Sequence, residues 1–298
     1  MSMNYVTLPS RGILAIDGPD RAAFLQGLVS NDVTQAGPSR AIYAAFLTPQ
    51  GKYLHDFFVV ELGGKLLLDC EAERLADLQR RLKMYKLRSK ITLEDARSQF
   101  SVTAAFGAGA LEALDLPAEP GAAAPLGDGV VFVDPRLPGL GARAILPRGT
   151  EASVLEPAGF KAAEIADYDR LRLEAGVPDG SRDMLVEKAI LLENNMDELH
   201  AISWAKGCYM GQELTARTRY RGLVRKRLLP VIVEGKLPEP GTLVMVGDKE
   251  AGEVRSGSGD RALALLRLEE IAKAEAEGIP LVAGEAKLTP VKPDWMNF

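Results

Sequence analysis

The sequence predicts an α+β fold in which mixed strands and helices lead into a small β-rich terminal region. Strand-like and helix-like patterns alternate up to about residue 99, and the segment from about 100 to 159 is rich in Ala, Gly and Pro. After Arg227, short strand-like runs are separated by Gly and Pro turns. With 298 residues, 47 % of them hydrophobic, the chain can form two or three domains with substantial cores. We therefore expect three domains: residues 1–99 with 160–225, residues 100–159, and residues 226–298.

The N-terminal region is predicted to contain a helix, a hairpin and a second helix. Gly18-Pro19-Asp20 predicts a helix start, because proline is preset for the first turn and an acid there meets the positive end of the helix dipole. Two β-rich runs, Tyr53–Leu62 and Lys65–Cys70, flank Gly63-Gly64. They predict a hairpin, because both turn positions need positive φ. Apolar residues at helical spacing between Leu75 and Tyr85 predict the second helix.

The same patterns predict the remaining elements. Between residues 100 and 176 we expect three short strands, at Phe100–Phe106, Val130–Val133 and Ala142–Leu146. We also expect a loop at Leu116–Pro125 and a helix at about Lys161–Ala175. In the tail we expect four short strands and a final helix, at Leu228–Glu234, Thr242–Val246, Glu250–Ser256, Leu263–Leu266 and Glu269–Glu277. The tail therefore predicts a small β-rich domain.

The composition excludes several classes of protein. Two cysteines, Cys70 and Cys208, cannot form a disulfide framework or supply the four thiolates that an iron–sulfur cluster normally takes. Two histidines do not suggest a self-contained zinc site. No apolar run approaches the roughly 18–20 residues that cross a bilayer, and Met1–Thr7 lacks the regions of a signal peptide. We expect a cytosolic, cytoplasmic protein with reduced thiols and no membrane partner.

Two basic segments stand out in a chain whose 36 Lys and Arg against 41 Asp and Glu give a net charge of −5. Gln79–Lys90 and Lys206–Leu229 each carry a net charge of +6. Concentrated cations focus potential locally, so the segments predict an anion-binding face. Two solvated helix or loop faces remain the alternative.

The segment most suggestive of chemistry is Lys206-Gly207-Cys208-Tyr209-Met210-Gly211-Gln212-Glu213. Glycines near Cys208 allow a ligand or partner to approach the backbone closely. Nearby cations favour the thiolate, which attacks electrophiles and binds soft metals. A buried cysteine in a tight turn is the alternative. Cys70 lies in an apolar strand pattern, where we expect a core role.

Lys206–Glu213, followed by Arg217, closely resembles the K-G-C-Y-x-G-Q-E signature of the YgfZ family. Phe24–Val33 and Leu171–Pro178 are similar to that family's N-terminal and central blocks, and Gly252–Ser256 to its C-terminal barrel. The family comprises folate-binding proteins that assist iron–sulfur enzymes, and it is related to the glycine-cleavage T-protein, an aminomethyltransferase. The resemblance implies two α/β domains and a C-terminal β-barrel in a ring around a tetrahydrofolate pocket, with residues 1–99 and 160–225 as the folate-binding domain.

The resemblance also implies site residues. Tyr43–Asp56 is similar to the T-protein segment that contacts folate, so Tyr43 would stack on the ligand and Asp56 would take the place of the essential carboxylate. Arg143 stands where, as we align the chains, the T-protein has a pterin-binding glutamate. Arginine has no acceptor atom, so Arg143 would bind a carboxylate tail or a phosphate, unless it is only a structural ion-pair partner. The other expected folate-binding residues come from the signature and the helix after it: Lys206, Glu213 and Arg217.

The favoured hypothesis is a tetrahydrofolate-binding factor for assembly or repair of 4Fe-4S proteins, including iron–sulfur enzymes that modify tRNA. Cys208 would be its functional thiolate and metal ligand, and a transient cluster would be shared with an iron–sulfur carrier or client protein. One alternative is a folate-dependent aminomethyltransferase that uses Asp56, so whether the protein is an enzyme stays open. The other is a tRNA-binding module at Arg219-Tyr220-Arg221. It is the least favoured, and we expect no direct nucleic-acid binding.

Overall fold

The computed structural model describes residues 2–222 and 224–298. It divides into two compact units. The first comprises Met1–Pro49, Leu54–Tyr168 and Leu199–Met210, and the second comprises Gln50–Tyr53, Asp169–Glu198 and Gly211–Phe298. The mixed α/β class with a C-terminal barrel is confirmed, whereas the division into three domains stays a prediction.

The first unit is built on two sheets. Its strands are β1 Asn4–Thr7, β2 Arg11–Asp17, β3 Ile42–Leu47, β4 Tyr53–Leu62, β5 Lys65–Glu71, β6 Thr92–Asp95, β7 Phe100–Phe106, β8 Ala123–Leu126, β9 Gly129–Val133, β10 Ala142–Pro147 and β11 Lys161–Ala162. One sheet has the order β3-β4-β5-β2-β6, and the other has the order β11-β1-β7-β10-β9-β8. Strands β3 and β9 are buried along their whole length, which explains their continuous apolar sequences.

The helices of the first unit are α1 Arg21–Gln26, α2 Leu75–Tyr85, α3 Ala110–Ala113 and α4 Glu151–Leu155. Helix α2 matches its prediction and buries the face that carries Leu75, Leu78 and Leu82. The predicted hairpin is also confirmed, since Leu62 pairs with Lys65 in antiparallel register. Gly63 and Gly64 have φ of 59° and 78°, a conformation that glycine adopts at low cost.

Three predicted boundaries are wrong. Helix α1 begins at Arg21, so Pro19 precedes the helix instead of lying in its first turn, while Asp20 takes the N-cap position and its carboxylate accepts a hydrogen bond from the Lys90 amide at 2.7 Å. Strand β8 occupies the end of the predicted loop, because it pairs with β9. Residues 161 and 162 form β11, which pairs in parallel with β1. In the last two cases strand pairing overrides the local pattern, for β8 with the neighbouring strand β9 and for β11 with the distant strand β1.

The second unit contains most of helix α5, Ile165–Ala175, helix α6, Gln212–Tyr220, and a closed barrel. The barrel elements are β12 Lys226–Glu234, β13 Leu243–Val246, β14 Lys249–Ser258, β15 Arg261–Arg267, α7 Leu268–Glu277, β16 Leu281–Ala283 and β17 Ala286–Pro290. Strands β16 and β17 were not predicted, yet they close the barrel in the order β12-β15-β14-β13-β16-β17. No described helix is long and apolar enough to span a membrane.

Candidate functional site

The first unit contains a cleft of about 400 Å³. Residues from separate stretches of the chain line it, among them Asn31, Tyr43 and His200. Its wall also includes a cation and an acid, Arg40 and Glu119, which no sequence motif indicated. Cavities of roughly 300–1,000 Å³ with a few polar groups are typical of small-molecule sites. The cleft is therefore the candidate ligand site of the first unit.

Asn31 and Ser30 hold distant parts of this cleft together. The Asn31 side-chain amide donates to the Tyr43 carbonyl at 2.7 Å and to the His200 carbonyl at 2.8 Å. The Ser30 hydroxyl donates to the Ala201 carbonyl at 2.6 Å. His200 has φ of 59°, which is uncommon for a residue other than glycine. These bonds fix the segment before the signature against the N-terminal block, a role that the sequence did not reveal.

Lys206, the first residue of the signature, is half-buried beneath the same N-terminal block. Its ammonium donates to the carbonyl oxygens of Gln26, Val29 and Asn31 at 2.7, 2.7 and 2.8 Å. An ammonium has three donors, so all of them are used within the protein. Burial lowers the pKa of Lys206 to about 8. The structure thus gives this lysine the role of holding the backbone that leads to the cleft.

Tyr43 and Asp56, predicted to contact folate, lie next to each other. The Tyr43 hydroxyl donates to an Asp56 carboxylate oxygen at 2.7 Å, and both side chains are buried. Burial, followed by the Asp56 charge, raises the pKa of Tyr43 well above its usual value. The Tyr43 ring stacks on Phe58 with ring centroids 4.9 Å apart. Tyr43 contributes to the cleft wall, and its stacking on a ligand stays a prediction.

Arg143 lies in the same buried region. Its Nε and Nη2 donate to one oxygen of Asp69 at 2.9 and 2.7 Å, and Arg11 Nε donates to the other at 2.7 Å. Burial raises the pKa of Asp69, but the two guanidinium groups lower it by more than burial raises it, so the pKa lies below its usual value. Arg143 therefore joins β10 of one sheet to β5 of the other.

A third guanidinium, that of Arg136, completes this buried cluster. Arg136 forms a two-pronged pair with Asp134, with N–O distances of 2.9 and 2.7 Å. Its guanidinium carbon lies 4.9 Å from the centroid of the Phe58 ring, and that of Arg143 lies 4.3 Å from it. Cations stack favourably on aromatic faces. We call this set the Phe58 cluster: Arg11, Tyr43, Asp56, Phe58, Asp69, Asp134, Arg136 and Arg143.

Cys208 has a different environment. Its residue is exposed and its thiol is free, whereas Cys70 is buried. The pKa of the Cys70 thiol is raised to about 12, mainly by burial. Apart from its two chain neighbours, no described residue has an atom within 4 Å of a methyl group placed at Gly207, so the space at this glycine is open. The structure therefore presents one of the two thiols to solvent or to a partner.

The end of the signature and the residues after it belong to the second unit. Gly211 precedes helix α6 with φ of 81°, which explains the glycine there. Glu213 and Arg217, both exposed, form an i,i+4 ion pair on α6. Their predicted contact with folate stays a prediction. Within the two described ranges, no three His, Cys, Asp or Glu side chains come together in a way that could hold a metal ion.

Comparison with known proteins identifies the relatives of the chain. Residues 225–298 match the family model of the CAF17 C-terminal β-barrel domain. The mouse mitochondrial iron-sulfur cluster assembly factor IBA57 is 36% identical over 318 residues, covering 97% of this chain and 84% of the mouse protein. This chain belongs to the IBA57 family. The human IBA57 protein is 34% identical, with 97% and 84% of the two chains covered.

A solved structure shows the same fold. The glycine cleavage system aminomethyltransferase T from Bartonella henselae matches with a TM-score of 0.77 at 16% identity, covering 98% of this chain and 86% of that chain. The expected kinship to iron–sulfur assembly factors on a T-protein-like fold is thus confirmed at the level of the IBA57 family and of the fold. Folate binding stays a prediction.

The expected cytoplasmic location is wrong. The IBA57 relatives from mouse, human and Neurospora crassa are all mitochondrial proteins by name. The expectation rested on unpaired cysteines and on the lack of a long apolar run. These features describe proteins of any compartment in which thiols stay reduced, so they could not distinguish the cytosol from a mitochondrion.

Proposed function

We propose that this protein is an iron–sulfur cluster assembly factor that binds tetrahydrofolate in the cleft of the first unit and uses Cys208 as an iron ligand. The observation that carries the assembly function is membership of the IBA57 family over 97% of the chain. The relatives are named as iron–sulfur cluster assembly factors, which supports a role with iron–sulfur carrier or client proteins.

Cys208 is the residue proposed to meet the cluster. It is exposed, and the space beside Gly207 is open to an approaching partner. A cluster normally takes four thiolates, so one cysteine serves only when a partner supplies the others. The proposed event is therefore a shared, transient complex in which the Cys208 sulfur binds one iron of a cluster that the partner also holds.

The cleft suits a folate in size and in chemistry. Its volume of about 400 Å³ lies within the range of small-molecule sites, roughly 300–1,000 Å³. The edge of a pterin presents N–H donors, and the Glu119 carboxylate in the wall offers acceptors. The glutamate tail of a folate is anionic, and the Arg40 guanidinium in the wall offers donors.

The residues of this chain would bind and orient the ligand. Arg40 is proposed to bind the carboxylate tail, because the donors of Arg143 and Lys206 engage acceptors of the protein itself. Glu119 is proposed to accept hydrogen bonds from the pterin edge, and Asn31 to keep the cleft open at a fixed width. When bound, the folate supplies a reduced pterin that can carry a one-carbon unit.

The cluster role is tested by Cys208→Ala in cells that lack the endogenous factor. We expect the activity of 4Fe-4S enzymes to fall to the level of cells without the protein, while the purified variant keeps its unfolding temperature. Cys70→Ala is the matched control, since it removes the buried thiol. It should restore enzyme activity wherever the variant is folded. Full activity of Cys208→Ala cells would overturn the proposed role of this thiol.

The folate role is tested by equilibrium titration of the purified protein with tetrahydrofolate. Arg40→Ala should weaken binding by about tenfold or more, because a charge-assisted hydrogen bond is worth about 1.5–3 kcal/mol. Arg148→Ala removes an exposed arginine that donates to the backbone carbonyls of Arg97 and Phe100 and does not line the cleft, and it should leave affinity within about twofold. Equal affinity of both variants, or no binding by the native chain, would contradict the proposed site.

A further inference from the structure

Helix α2 ends in a turn that exposes apolar side chains to water. Leu87, just after the helix, is 89 % exposed, and Met84 in its last turn is 56 % exposed. Leu87 also has φ of 42°, in the left-handed region that costs a leucine about 1–2 kcal/mol and that asparagine tolerates better. A leucine at this position is unfavourable for two reasons: the backbone conformation of the turn is strained for it, and its apolar side chain is exposed to water. Its presence therefore points to a contact made by the side chain.

Four cations flank these apolar residues in the sequence. Lys83, Lys86, Arg88 and Lys90 form no ion pair with any residue in the described part of the chain, although Arg80 and Arg81 nearby both pair with Asp77. Lys86 and Lys90 also line a shallow groove of about 310 Å³, whose wall includes Asp17. We call residues 83–90 the basic tip.

We propose that the basic tip binds the surface of a bilayer that contains anionic lipid, with Leu87 and Met84 entering the headgroup region. The expectation of no membrane partner rested on the lack of a spanning segment, and a surface contact does not require one. Unpaired lysines and arginines beside exposed apolar side chains are the combination that peripheral membrane contacts use. This inference is independent of the folate and cluster roles.

The size of the tip favours a lipid surface over a protein. A stable protein interface buries about 800 Å² on each partner, with some 20–30 residues, whereas the tip has eight residues and a single turn. Binding to a bilayer needs no such complementary area, because the affinity of a protein for an anionic bilayer grows with each cation near the surface. One lysine or arginine near an anionic surface raises affinity about fivefold. Four unpaired cations and an inserted leucine therefore suffice for reversible binding.

The experiment measures sedimentation of the full chain with two kinds of vesicle, pure phosphatidylcholine and phosphatidylcholine containing about one-third phosphatidylglycerol. We expect binding to the anionic vesicles alone, weakening as salt is added. The variant K83Q/K86Q/R88Q/K90Q should lose affinity by more than about 100-fold. The matched control K161Q/K236Q/K249Q/K273Q removes the same charge from exposed lysines elsewhere, and it should stay within about threefold.

Leu87→Asn separates the apolar contact from the charge. Asparagine tolerates the left-handed conformation, so the variant should unfold at the same or a higher temperature. It should nonetheless bind anionic vesicles about fivefold more weakly, since an inserted side chain is lost. The proposal is overturned if neither vesicle binds, if the control loses as much affinity as the tip variant, or if Leu87→Asn binds like the native chain. Tip-dependent binding to a polyglutamate resin without vesicle binding would assign the tip to an acidic protein instead.

Discussion

The Phe58 cluster and the cleft wall differ in how their charges are used. In the cluster, three arginines face three aspartates, and the charged groups are buried. In the cleft wall, Arg40 and Glu119 are exposed residues that line a space large enough for a ligand. The cluster therefore suits a structural role, in which charge satisfies charge across two sheets. The cleft wall suits recognition, because the charges there remain available to a molecule that enters.

The largest expected effect is the loss of a carboxylate from the cluster. Asp69→Ala leaves the guanidinium groups of Arg11 and Arg143 buried without their shared partner. Removing one member of a buried ion pair costs about 3–5 kcal/mol, and we expect that loss in the free energy of unfolding by urea. Asp95→Ala, which breaks an exposed pair with Arg97, should cost less than about 1 kcal/mol. Comparable losses for the two variants would break the distinction drawn for the cluster.

Three of the predicted folate residues, Tyr43, Asp56 and Arg143, illustrate what the sequence could and could not establish. The motif match assigned Tyr43 and Asp56 to one ligand site, and the structure places the two side chains in hydrogen-bond contact, while their contact with folate stays a prediction. It could not establish that Arg143 would meet Asp69, since that contact joins strands 74 positions apart and depends on how the two sheets pack. Local periodicity likewise predicted the hairpin and helix α2. It missed β16 and β17, which pair with each other in a hairpin and close the barrel by pairing with β13 and β12.

The cleft could not be predicted from the sequence either, because it depends on contacts between distant parts of the chain. Arg40 and Glu119 belong to no recognised block, and only long-range folding brings them to one wall. Asn31 did lie within a recognised block. Its role nonetheless depends on the His200 carbonyl, 169 positions away. Motifs therefore indicated the family, whereas the fold decides which polar groups are satisfied within the protein and which are offered to a ligand.

The two histidines extend the comparison to pH. His55 is buried on strand β4, which also carries Asp56 and Phe58 of the Phe58 cluster. Its neutral ring donates from Nε2 to Asp77 at 3.0 Å. Burial, followed by the Arg74 charge, lowers its pKa from 6.5 to about 4. The unfolded chain therefore binds this proton first as pH falls, and the native state loses stability between about pH 6.5 and pH 4. The loss should reach about 2–3 kcal/mol at the lower limit.

Unfolding by urea at a series of pH values checks this slope. His55→Gln keeps a donor for Asp77 but does not titrate, so its stability should fall much less steeply than that of the native protein from pH 6.5 to 4.5. The cleft histidine supplies the comparison variant, His200→Gln. Burial also lowers the pKa of His200, but this side chain is less buried than that of His55, so the variant should keep most of the slope of the native protein. An undiminished slope in His55→Gln, or a slope that disappears in His200→Gln, would show that His55 is not the main group that titrates in this range.

The smallest effect on stability is expected where structure and recognition meet, at Lys206. Lys206→Met keeps the length of the side chain but removes the ammonium that three carbonyl groups share. Because the site is half-buried, water can replace part of the lost bonding, and the cost should be about 1–2 kcal/mol. Folate affinity should fall by about fivefold, since the backbone from Gln26 to Asn31 loses its anchor and Asn31 spans the cleft. Lys161→Met, at an exposed position of β11, should change neither quantity.

The pair of measurements separates this positioning role of Lys206 from two other roles. If it only supports the fold, stability falls while titration with tetrahydrofolate gives the native affinity for the folded fraction. If its ammonium instead contacts the ligand directly, affinity should fall far more than fivefold, and Lys206→Arg should restore part of it by supplying a cation. The three carbonyl contacts predict instead that arginine at position 206 does not restore affinity. Its larger planar group does not fit among three converging carbonyls, so Lys206→Arg should be no better than Lys206→Met.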